Sequence, residues 1–183
     1  MSNNKKVRII LIISFLIIQF TILTALIKNN KYHYIGSVIS TTTFFVTYTV
    51  IEIKYNLYLG NYIRSLIILA ILAHNFLGKY LQLYIKLSYF DFLLHIFGIY
   101  TFTLFFYSLI TETINKSSSQ SYNFIFLISL GTSLGACFEI IEYLLDIVLK
   151  PKIPFQFSLI DTNLDLIADL LGALLAAIHL TLF

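Results

Sequence analysis

Six apolar runs, each close to the length of a membrane-crossing helix, recur along the chain at about 7–27, 34–53, 62–81, 90–110, 124–149 and 164–183. A helix of about 20 residues spans a hydrocarbon core of ~30 Å. In lipid every backbone N–H and C=O must pair inside the protein, which leaves only helices or a closed barrel. The pattern does not support a barrel. It predicts an all-α membrane protein, a bundle of about six transmembrane helices forming a single polytopic membrane domain over residues 1–183. Composition agrees: the chain is 58% hydrophobic and 11% charged, where a soluble domain carries about 25% charge.

The run at 7–27 follows a basic start with Lys5, Lys6 and Arg8. It is longer than a signal-peptide core of about 7–15 residues and lacks a convincing small-residue cleavage site, so it reads as the first membrane helix. The Thr-rich second run, with many β-branched residues, is read as a helix because a closed barrel is the only alternative in lipid. Connections are short. The longest are 111–122, with the Ser-rich KSSSQS tract, and 150–163, where PKIP holds both prolines and fits a stop after the fifth helix. No internal repeat or extramembrane domain is visible, which leaves no room for a soluble catalytic module.

The net charge is +3, with lysines scattered between apolar runs. They read as loop anchors and not as a nucleic-acid patch. An N-terminus inside puts Lys5, Lys6, Arg8, Lys54, Arg64 and Lys116 on the cytoplasmic side, and Lys28, Lys31, Lys79, Lys86, Lys150 and Lys152 opposite, six against six. The dense first cluster decides for a cytoplasmic N-terminus. Richness in Ile, Lys, Asn, Phe and Tyr, with no Trp, fits an AT-rich bacterial genome and a multi-pass protein of the inner membrane.

Carboxylates interrupt this apolar background. Glu139, Glu142 and Asp146 recur at spacings of three and four in the fifth run, so they share a helix face. Each costs roughly 2.5–3.5 kcal/mol near a bilayer centre. The fourth run opens with Asp91 and His95, and the sixth with Asp165 and Asp169, both pairs spaced by four. Alternating spans bring all of these to one membrane face, with His74 approaching the same side. Gly98, Gly131, Gly135, Gly172 and Ala176 lie on the same faces as the acidic groups and allow close backbone approach.

Five carboxylates, Asp91, Glu139, Glu142, Asp165 and Asp169, cannot all stay ionised without counter-charge. A divalent metal ion could sit among them with His95. Some could be protonated and relay protons. A cationic or polar head group could bind. On the metal reading, Asp91, His95, Glu142, Asp165 and Asp169 are ligands and Glu139 is the catalytic base. A polar network that only specifies helix packing is the plainer alternative. Plainer readings hold elsewhere. Asp91 and Asp161 fit helix caps, and Asp146, Glu52 and Glu112 fit solvated positions. His33 and His179 fit the interface. His74 fits a satisfied interior histidine as well as it fits a site. Cys137, the single cysteine, fits a buried structural thiol.

The segments DFLLHIFG (91–98), EIIEYLLD (139–146) and DTNLDLIADLLGA (161–173), in that order on six short spans, resemble the YjdF-like inner-membrane family and, more loosely, VanZ-like membrane proteins. The resemblance covers roughly the C-terminal half. It implies Asp91, His95, Glu139, Glu142, Asp165, Asp169 and Gly172 as polar and small positions of the family. Phe92 stands where the YjdF-like pattern has Arg, and Leu164 where it has Trp. VanZ-like proteins tend to have Gln and Asn at Glu142 and Asp169. The YjdF-like family has no assigned reaction, whereas VanZ-like proteins are linked to glycopeptide resistance, which implies envelope biology. Motifs of CDP-alcohol phosphotransferases, membrane phosphatases, rhomboid-type proteases and CAAX-type proteases are missing. The expectations are therefore a metal-dependent enzyme or binding protein acting on a lipid-linked or envelope substrate, a proton- or cation-coupled transporter, or a non-catalytic membrane scaffold. The lipid bilayer is the one partner common to all three.

Overall fold

A computed structural model describes residues 3–114, 119–151 and 154–182. Among these residues there is no strand, and six helices are long and apolar enough to cross a membrane. The chain divides into two units, Met1–Phe90 and Asp91–Phe183. The first unit contains α1 (Asn3–Lys28), α2 (Ile35–Lys54), α3 (Asn61–Leu72) and the single turn α4 (Leu83–Lys86). The second contains α5 (Phe90–Thr113, starting at the boundary), α6 (Gln120–Leu149) and α7 (Leu159–Leu182). Even the 20-residue α2 reaches about 30 Å at 1.5 Å per residue.

In the first unit, left-handed asparagines terminate the helices: Asn30 (φ 56°) after α1 and Asn56 (φ 58°) after α2. Phe15 packs against Phe45 with ring centroids 4.4 Å apart and ring planes tilted by 48°. Ile22, Leu26 and Val38 pack with Leu72 and Tyr80. The third span, expected as one helix at about 62–81, is not uniformly α-helical. From Ala73 to Tyr80 it widens into a π-helix, a form often found where polar groups must be re-aimed. There Asn75 donates to Gln19 (3.1 Å) and Thr41 (2.8 Å). His74 lies 2.8 Å from the Ser37 hydroxyl and 2.6 Å from the Tyr84 hydroxyl. Both of its ring nitrogens are thus engaged, as in a satisfied interior histidine.

One expectation fails in this unit: Glu52 is not solvated but pairs with Arg64. Their side chains are 1% and 0% exposed, joined by two hydrogen bonds of 2.9 and 2.6 Å. Arg64 also donates to the Leu59 carbonyl at 3.3 Å, and Arg8 stands 3.5 Å from the same carboxylate. A guanidinium can enter an apolar helix only when its charge is matched, and the bidentate carboxylate does this.

In the second unit the three helices run antiparallel. α7 begins with a reciprocal cap: Ser158 accepts from Asp161 N (3.1 Å), and Asp161 accepts from Phe157 N (3.2 Å). This starts α7 five residues earlier than the apolar run suggests, and Asp161 does serve its entry. Ser119 caps α6 by accepting from Tyr122 N at 3.3 Å. The remainder of the Ser-rich tract at 115–118, the middle of PKIP at 152–153, and the basic residues Lys116 and Lys152 lie outside the described residues. The buried face of α7 is Asp165, Ala168, Asp169, Gly172, Ala173, Ala176 and Ala177, small residues at helical spacing. It meets Gly131 and Gly135 of α6, both buried.

Cys137 is exposed, not buried. Gly131, Gly135 and Glu139 point inward at spacings of four, and a residue two positions from Gly135 lies about 200° around the helix. Exposed apolar side chains are abundant throughout: Phe20 68%, Ile125 65%, Val148 74% and Leu159 76%. In water such a surface would be a serious liability; against acyl chains it is the ordinary exterior.

Candidate functional site

The second unit gathers the polar residues of its three helices around one imidazole. Asp91 and His95 sit in the first turns of α5, one helical turn apart. Glu139 comes from the second half of α6, and Asp165 and Asp169 from the first half of α7. Because the helices alternate in direction, these five residues share one end of the unit. Gln120 Nε2 donates to the Thr181 carbonyl at the other end.

Each ring nitrogen of His95 faces two carboxylates. Nδ1 lies 3.0 Å from Asp169 Oδ1 and 4.0 Å from Glu139 Oε1. Nε2 lies 3.7 Å from Asp91 Oδ1 and 3.9 Å from Asp165 Oδ1. The Phe138 ring meets His95 edge-on, with centroids 6.1 Å apart. Two sets of potential metal ligands result, Asp91–His95–Asp165 and His95–Glu139–Asp169, each with ligand atoms within 4.8 Å of one another. Half-buried Glu142 belongs to neither set. Asp169 is 1% exposed and Glu139 5%. Asp169 Oδ2 and Glu139 Oε1 are buried without a hydrogen-bond partner among the described residues.

Glycines make this approach possible. A Cβ on Gly135 would strike the Asp169 carboxylate, and one on Gly172 would strike the Ile96 carbonyl one residue beyond His95. The backbone of α7 thus approaches those of α5 and α6 as closely as small-residue packing allows.

Phe155 and Gln156, just before α7, bond back to the end of α6 that carries the site. Asp146 accepts from Phe155 N (2.8 and 3.0 Å) and from Gln156 N (3.0 Å). It is therefore a backbone clamp and not simply solvated. Gln156 Nε2 in turn donates to both the carbonyl and Oε2 of Glu139, each at 3.0 Å. Nothing in the sequence singles out Gln156, because its partners, Glu139 and Asp146, lie about two turns apart on another element. His179 is also not merely interfacial: its Nδ1 lies 2.6 Å from the Tyr100 hydroxyl, with the rings stacked. Exposed His33 packs on Tyr34, centroids 3.9 Å apart, and Glu112 is exposed.

Fold and cluster together define a multi-helix membrane protein with an acidic, histidine-centred cluster buried at one end of a three-helix unit. The chain belongs to the family described as Predicted membrane protein (DUF2238), which matches residues 9–183. The YjdF-like resemblance fits this family. An uncharacterized protein of Thermotoga maritima is 34% identical over 103 residues, 56% of this chain. The chain spans 53% of that relative's length. No solved structure matches.

Proposed function

We propose that the cluster around His95 is a divalent-cation site serving a membrane enzyme or binding protein that acts on a lipid-linked or envelope substrate. The observation that carries this reading is the pair of buried oxygens, Glu139 Oε1 and Asp169 Oδ2, that no donor among the described residues meets. A buried acceptor left unpaired costs about 1–3 kcal/mol, and both lie in a triad whose third member is an imidazole. A cation replacing the proton between His95 and Asp169 would engage all three side chains. Mixed imidazole and carboxylate ligands suit first-row divalent ions. Asp91 and Asp165 face the other ring nitrogen and orient the imidazole. Glu139 thus moves from candidate base to candidate ligand, and Glu142, outside both sets, becomes an outer residue of the site. The VanZ-like resemblance favours envelope biology, and the chain reads as a protein of the bacterial inner membrane with its N-terminus inside.

A proton or cation relay is the second reading, favoured by one ring bridging two carboxylate pairs. Elemental mass spectrometry of detergent-purified protein separates the two, with wild type measured beside Asp169→Asn. Near-stoichiometric metal in the wild type, lost in the variant, is the expected result. A well-folded, metal-free wild type that also takes up none of Mn²⁺, Fe²⁺ or Zn²⁺ refutes the cation site and leaves the relay.

A further inference from the structure

We infer that Gln156 is a positioning residue of the proposed cation site, held in place by Asp146; the inference rests on the cation reading of the cluster. Glu139 has two carboxylate oxygens with different environments. Oε2 is occupied by the Gln156 carboxamide at 3.0 Å. Oε1 faces His95 Nδ1 at 4.0 Å and has no donor among the described residues. The amide therefore fixes the carboxylate's rotation and leaves the inner oxygen for the cation. Gln156 also donates to the Glu139 carbonyl at 3.0 Å, so one side chain grips both ends of the residue it orients.

Gln156 is itself held from behind. Its backbone N–H, and that of Phe155, donate to the Asp146 carboxylate at 2.8–3.0 Å. Asp146 lies seven residues, about two turns, beyond Glu139 on the same helix face. One helix thus supplies both the residue to be oriented and the anchor of the strap that orients it. Outer partners of this kind, hydrogen-bonded to a ligating carboxylate, commonly alter metal affinity by roughly 10- to 100-fold when removed. Asp146 acts only through Gln156, so the two should not act independently.

The test is a double-mutant cycle on the full chain in detergent, using Mn²⁺ affinity by calorimetry as the readout. Far-ultraviolet circular dichroism of the metal-free proteins serves as the folding control. Gln156→Ala should weaken Mn²⁺ binding by roughly 10-fold or more while leaving the metal-free melting temperature near that of wild type. Asp146→Ala should weaken it similarly, and the double variant should be no worse than the weaker single variant. Asp146→Asn keeps an acceptor for the two backbone N–H groups and should restore most of the affinity. Wild-type affinity in Gln156→Ala, or additive losses in the double variant, overturns the positioning role. Loss of affinity only in step with loss of helicity overturns it too, because the strap would then be structural. A wild type that binds no divalent ion overturns the cation reading and this inference with it.

Discussion

Replacing Gly135 by alanine puts a methyl group where the Asp169 side chain already lies. The added Cβ would stand 2.6 Å from both Cβ and Cγ of Asp169. Carbon atoms settle near 3.5–4.0 Å, so about 1 Å of extra separation must be found. Asp169 is 1% exposed, so its carboxylate must turn from His95 or α6 and α7 must separate. Overpacking of this kind costs about 1–3 kcal/mol, and the 3.0 Å contact between Asp169 and His95 is lost with it. Gly131→Ala is the matched control. Its Cβ would stand 2.5 Å from Ala173 Cβ and from Thr103 Oγ1, crowding the same helix face one turn earlier with no carboxylate in the way. Both variants should unfold at lower temperature by circular dichroism in detergent. Only Gly135→Ala should lose bound cation by elemental mass spectrometry. A Gly135→Ala protein with a full cation complement, or a Gly131→Ala protein that loses cation equally, would show that the helix approach does not set the position of Asp169.

Glu52→Gln should cost about 3–5 kcal/mol, because it leaves the Arg64 guanidinium buried without counter-charge, and adding Arg64→Met should recover much of the loss; equal melting temperatures for wild type and Glu52→Gln would refute this. Cys137→Leu should leave the melting temperature near that of wild type, since the side chain faces outward from α6; a large loss of stability would contradict the orientation of that helix.

The amino-acid sequence by itself determined the architecture. Run length and apolarity are local properties, and lipid admits few alternatives for a run of that kind, so the six spans are legible one at a time. The gathering of Asp91, His95, Glu139, Asp165 and Asp169 was legible for a related reason. Spacings of three and four assign a helix face, and alternating direction assigns a membrane side. Where partners sit on different elements, the same local signals were silent or misleading. Glu52 at a helix end has the look of a solvated residue until Arg64 on α3 is seen to neutralise it. Asp146 has the same look until the returning strap supplies its backbone donors. Cys137 in an apolar run resembles a core thiol, because an apolar sequence does not tell a lipid-facing side from a protein-facing one.

Only the tertiary structure decided which acid meets which nitrogen, that Gln156 grips Glu139, and that Glu142 stands outside both acidic groups around His95. The physical reason is that a helix's periodicity specifies a face to within a turn. Pairing at hydrogen-bond distance depends on how two helices are rotated and how closely they approach. That approach is set by contacts such as Gly135 against Asp169 and Gly172 against the Ile96 carbonyl, which exist only once the helices have packed.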